Sequence, residues 1–138
     1  MTLIAEKGAQ AIQKYIVAWN QYDEDALISL FTEEGSYQDS ATGVPLTGKA
    51  IGVYAKSLWT AFPDLRFESG RSGVQPDGTA FIEWVLSGTN QSSFNGFPST
   101  GNRFSIEGVD IFSIQEDKIA SVRGYFNVNH LMQQLGML

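Results

Sequence analysis

Residues 103–127 read RFSIEGVDIFSIQEDKIASVRGYFN, two alternating apolar runs on either side of Glu116-Asp117. Alternation with a two-residue period marks half-buried strands, and an acidic pair between them marks a tight turn. The spacing predicts one strand over Arg103–Gln115 and another over Lys118–Phe126, paired as an antiparallel hairpin. In the first strand Ile106, Gly108, Asp110, Phe112 and Ile114 share a face. Four of these are apolar or small, so that face is expected to point inward and to carry Asp110 with it. A buried carboxylate is costly unless a partner, water or a proton neutralises it.

Working back along the chain, Leu65–Gln75 and Thr79–Gln91 read as two more strands, joined by the turn signal Pro76-Asp77-Gly78. A loop, SFNGFPSTGN, separates them from the hairpin. Its Phe94 and Phe97 are expected to pack on a pocket rim or a dimer mate. The first half is helical instead. Ile12, Tyr15, Ile16 and Trp19 make one apolar face of a helix over Leu3–Asn20. Asp23 is placed to cap a short second helix with Leu27, Leu30 and Phe31 as its apolar face. A short strand is expected around Tyr37, within the polar stretch EEGSYQDSATG. Thr47 is read as the cap of a third helix whose stripe is Ile51, Tyr54, Ala55, Leu58 and Phe62. Phe62-Pro63 ends it, because proline disfavours helix in the preceding residue. Val128–Leu135 is expected to form a short terminal helix. Helices followed by a meander predict an α+β domain with helices on one face of a sheet.

The chain has 138 residues, 43% of them hydrophobic and 12% aromatic, enough for one folded domain over residues 1–138. Its net charge is −6, and the nine basic residues are scattered, which argues against nucleic acid as a partner. It contains no cysteine, so thiolate chemistry and disulfides are excluded. The opening MTLIAEKGAQ has no secretory pattern, and no apolar run is long enough to span a membrane, so a cytoplasmic protein is expected. No glycine-rich phosphate motif opens a helix, and His130 is the only histidine. Neither a nucleotide cofactor nor a metal is expected.

The stretches YIVAWNQYDEDALISLF (15–31), AFPDLRF (61–67), GFPSTGNRFSIEGVDIF (96–112), DKIASVRGYFN (117–127) and LMQQLG (131–136) resemble, in this order, the SnoaL-like polyketide cyclases of the nuclear transport factor 2-like superfamily. The resemblance implies a cone-shaped, curved, mixed or largely antiparallel sheet with three N-terminal-half helices on its concave face. It also implies a pocket between them for a small hydrophobic molecule, and often a homodimer through the sheet. Relatives often carry a Glu-His-Trp run where this chain has Ser121-Val122-Arg123. They often carry histidines near Gln38 and at the position of Asn90.

Asp110 is therefore the candidate catalytic acid or base, and Gly108 is expected to leave room beside it. Tyr15, Trp19, Tyr37, Trp59 and Trp84 are candidate pocket walls, set against simple core packing. Gln38 and Asn90 are candidates to hold an oxyanion or a water. Simple alternation groups Arg123 with Ile119, Ser121, Tyr125 and Asn127. That makes Arg123 and Tyr125 candidate site residues, and Arg123 a candidate partner of Asp110. Asp39 is read as a solvated loop acid in preference to a residue of the pocket mouth, and His130 as a surface or capping residue. Two functions follow. One is a cofactor-independent cyclase, isomerase or hydrolase acting on a small hydrophobic carbonyl compound or epoxide through Asp110. The other is a ligand-binding or dimerisation domain in which the usual histidines are replaced.

Overall fold

The computed structural model describes residues 3–138. Met1 and Thr2, part of the opening stretch read above for a leader, lie outside the described residues. The elements are α1 (Leu3–Asn20), α2 (Glu24–Ser29), β1 (Phe31–Gln38), β2 (Leu46–Thr47), α3 (Lys49–Ala61), β3 (Arg66–Val74), β4 (Thr79–Thr89), β5 (Arg103–Gln115), β6 (Lys118–Phe126) and α4 (Val128–Leu135). They build the α+β architecture expected from the resemblance, a cone of helices inside a curved mixed sheet.

The strand order is β2-β1-β6-β5-β4-β3. All neighbours are antiparallel except β1 and β6, which run parallel. The first and last strands of the chain therefore lie side by side, and the expected β5–β6 hairpin forms at its expected bounds. Register slips between β3 and β4 at Ser69/Ser72, and between β5 and β6 at Ser113/Ile114. Such bulges bend the bulged strand and sharpen the twist, which helps the sheet to curl around the helices.

Aromatic side chains fill the concave side. Tyr15 of α1 meets Phe112 of β5 edge-on at 5.1 Å. Trp19 meets Trp59 of α3 at 5.6 Å and Phe67 of β3 at 5.5 Å, both edge-on, the geometry that ring quadrupoles favour. The Trp59 indole donates to the Trp19 carbonyl (3.1 Å), locking α1 to α3. At the end of α1, Asn20 exchanges two hydrogen bonds with the Phe67 backbone (2.8 and 2.9 Å). That pair satisfies groups of an edge strand that would otherwise be open.

Three local expectations need correction. Phe31 is the first residue of β1, so the strand begins well before Tyr37 and α2 is shorter at its end. Asp23 does cap α2, accepting from the Ala26 amide (3.0 Å). Thr47 belongs to β2; the N-cap of α3 is Gly48, at φ 56°, and it makes no side-chain cap. The positive φ there favours glycine over a hydroxyl-bearing cap. No helix among the described residues is long and apolar enough to cross a membrane.

Candidate functional site

Asp110 sits in the middle of β5, opposite Ile82 on β4 and Gly124 on β6. Ladders on both sides fix its backbone, and its side chain points inward as the alternation predicts. It is 3% exposed. Burial in apolar surroundings raises its carboxyl to about 7; Trp84 and Tyr15 pull it down and Asp39 pushes it further up. The Trp84 indole N–H has no hydrogen-bond partner of adequate geometry. Its pull on Asp110 is therefore that of a nearby dipole.

Asp39 follows directly on β1 and is buried, not solvated. Its Oδ1 accepts from the amides of Ala41 (2.8 Å) and Thr42 (3.0 Å), and its Oδ2 from the hydroxyls of Tyr37 (2.6 Å) and Tyr54 (2.7 Å). Four donors meet the full accepting capacity of a carboxylate. Burial first, then charged and titratable neighbours, hold both phenols well above their ordinary range, so both stay protonated. The two acids approach each other over bare backbone. A Cβ at Gly124 would lie 2.7 Å from Asp110 Oδ1 and 3.2 Å from Asp39 Cβ.

Both acids line a cavity of ≈ 40 Å³ beneath α3 and α4. A site needs roughly 10–15 Å³ to hold one water, so this one takes a few waters or one slender group. The wall is otherwise apolar and aromatic, with Tyr37, Tyr54, Phe67, Trp84 and Phe126 around the acids and Leu131 from α4 above. Phe94 reaches it from the β4–β5 loop and packs on Phe62 (5.2 Å), as its expected rim position requires. Among the described residues, no Lys, Arg or His side chain lines it.

Of the residues singled out in the sequence, the fold brings Tyr37, Trp84 and Asp110 together at this cavity. Tyr15, Trp19 and Trp59 lie behind its wall as core. Gly108 leaves no open room: the Trp84 ring occupies the space where its Cβ would be. Asn90 is fully buried, but its side chain staples the loop, donating to Ser92 O (2.8 Å) and accepting from the Thr100 amide (2.8 Å). Gln38 pairs with Arg123 across β1 and β6, on the face opposite Tyr37.

Arg123 and Tyr125 also face outward, which removes them from the candidate site residues and breaks the grouping by simple alternation. Ser113 pairs with Ser121 but Ile114 pairs with Ile119, so Ala120 is an extra residue in β6. One inserted residue flips every side chain beyond it. Val122 and Gly124 therefore point inward, while Arg123 lies exposed with its guanidinium 5.5 Å from the Tyr125 ring centre. Arg123 cannot neutralise Asp110. His130 is exposed on α4, 2.8 Å from the Gln134 amide nitrogen.

Sequence reasoning missed Tyr54 and undervalued Asp39. The available signal was Tyr37-Gln38-Asp39, a strand whose inward aromatic is followed two residues on by an acid, with a tyrosine on the apolar stripe of the next helix.

The chain is similar to a proposed SnoaL-like polyketide cyclase from Jannaschia sp. CCS1, with 15% identity, a TM-score of 0.89, and 100% of this chain and 97% of that one covered. It is similar to a proposed polyketide cyclase from Xanthomonas campestris pv. campestris, with 18% identity, a TM-score of 0.86, and 96% and 98% covered. It is also similar to AclR, a proposed hydroxylase from Streptomyces galilaeus, with 20% identity, a TM-score of 0.83, and 97% and 98% covered. At these identities the likeness speaks for the fold. No curated protein matches the chain in sequence. The model of the SnoaL-like polyketide cyclase family matches residues 9–135, and the chain belongs to that family.

Proposed function

We propose that the chain is a cofactor-independent enzyme that moves a proton at the carbon next to the carbonyl of a small hydrophobic compound, with Asp110 as the base and then the acid. The observation that carries this reading is a wholly buried carboxyl near 7 on the wall of an apolar cavity. A proton-transfer group works best when its pKa is close to the working pH. Asp110 would take the C–H proton to leave an enolate, and return a proton to carbon at the end of the step. The enolate oxygen needs a donor. The Tyr37 and Tyr54 hydroxyl protons are committed to Asp39, whereas the Trp84 indole N–H, buried near Asp110, makes no hydrogen bond of adequate geometry. Epoxide opening by a joined Asp and Arg is disfavoured, because Arg123 is on the other face of the sheet. Family membership and the cyclase neighbours support a small-molecule role.

The test is solvent deuterium uptake at the α-carbon of a panel of apolar ketones, followed by NMR in D₂O. The wild type is expected to exchange at least one of them, and Asp110→Asn to lose exchange with an unchanged circular dichroism spectrum. Exchange that survives in the variant removes the proposal. A second reading, ligand binding without chemistry, is favoured by Gln38 and Asn90, which stand at positions of the expected histidines and both lie outside the cavity lining. Ketone binding with no exchange in the wild type would establish it.

A further inference from the structure

We propose that Asp39 is a positioning residue for Asp110: clamped by Tyr37, Tyr54 and two backbone amides, it stands across Gly124 as a fixed negative charge that strengthens Asp110 as a base. The clamp is built from four separate places. Tyr37 comes from β1, Tyr54 from α3, and the Ala41 and Thr42 amides from the turn that Asp39 itself opens. All the accepting capacity of Asp39 is spent on them, so it is poorly placed to take a proton from a ligand. Its charge is nonetheless felt: the side-chain space that Gly124 leaves empty borders both Asp110 Oδ1 and the Asp39 Cβ, and Asp39 pushes Asp110 up.

Every element packed around Asp110 contributes a neutral or acidic group. These are Tyr15 from α1, Tyr37 and Asp39 from β1 and its turn, Tyr54 from α3 and Trp84 from β4. No cation lining the cavity offsets the pair. When like charges share a poorly hydrated site, the one with fewer donors holds its proton. Asp39 has four donors, and Asp110 is the acid that is raised, by burial first. Burial does most to raise Asp110 and the Asp39 charge adds to it, so the consequence for the enzyme is a stronger base than burial alone would give, ionising near neutral pH. The same field disfavours anionic ligands and favours neutral ones.

This deepens the acid–base reading but is tested without turnover, so its failure and the failure of that reading are separable. Carboxyl carbon NMR across a pH series follows Asp110 in the wild type and in Asp39→Asn. The variant is expected to move the Asp110 midpoint to lower pH by roughly one unit, and the pH midpoint of any exchange activity with it. Tyr54→Phe, which leaves the charge in place, is expected to keep the Asp110 midpoint high. Should Asp39→Asn not fold, the wild type still answers: the Asp39 carboxyl resonance must show an inflection at the Asp110 midpoint. An Asp110 midpoint that stays put in Asp39→Asn, or an Asp39 resonance blind to Asp110, overturns the proposal.

Discussion

Asn90 and Asp110 are both buried polar residues on the adjacent strands β4 and β5 or at their ends, and they spend their polar atoms in opposite ways. Asn90 has partners for both its amide nitrogen and its oxygen, all within the loop and helix end it joins. Asp110 has the apolar cavity on one side, the Tyr15 hydroxyl and an indole N–H of poor geometry on others, and a second acid across Gly124. A buried polar group that is fully paired stabilises and fixes the fold. One left short is a cost that a purely structural sequence would remove. The difference separates the loop that shapes the cavity from the group that can do chemistry in it.

The largest expected effect comes from removing the cost. A rise from 3.8 to about 7 corresponds to about 4 kcal/mol against the ionised form. Between the ordinary aspartate range and pH 7 the folded chain binds more protons at this site than the unfolded one. Stability from Asp110 is thus fully present below about pH 4 and is lost as pH rises through 7. Asp110→Asn, neutral at every pH, is expected to be more stable than the wild type by about 4 kcal/mol at pH 8 and nearly equal to it at pH 4. Urea unfolding at the two values measures this. A variant that is destabilised at pH 8 would mean that Asp110 is as well paired as Asn90, and the contrast would collapse.

The reverse is expected on the other side. Asn90→Ala removes, from a fully buried position, the side chain that holds the Ser92 carbonyl and the Thr100 amide of a largely exposed loop. Water can take over at these groups, so each lost hydrogen bond costs about 0.5–1.5 kcal/mol, and a loss of roughly 2 kcal/mol is expected, the same at pH 4 and pH 8. A pH-dependent loss would tie Asn90 to the acids and return it to the list of site residues.

Periodicity made much of this legible from the chain. The bounds of α1, β5, β6 and α4, and the inward direction of Asp110, follow from local spacing alone, because each is set by residues two to four positions apart. What stayed hidden depended on distant partners or on single insertions. Asp39 reads as a polar loop acid until Tyr54, fifteen residues on, reaches it. Gly108 reads as open space until Trp84 on the next strand fills it. Arg123 can be given neither face until the extra residue at Ala120 is seen to turn it out. No pattern within β6 announces that bulge; only pairing with β5 reveals it.

Arg123→Ala is accordingly the smallest expected change and the sharpest check of which face is which. Its guanidinium is exposed and rests on the Tyr125 ring, a contact of about 0.5–1 kcal/mol at exposed sites. Stability is expected to fall by no more than that, and the Asp110 carboxyl titration to stay where it is. An inward Arg123 would behave differently. Its guanidinium would hold Asp110 ionised, and removing it would send the Asp110 midpoint upward. A midpoint indifferent to the only basic side chain on β6 beyond the bulge leaves Asp39 as the charge that Asp110 answers to.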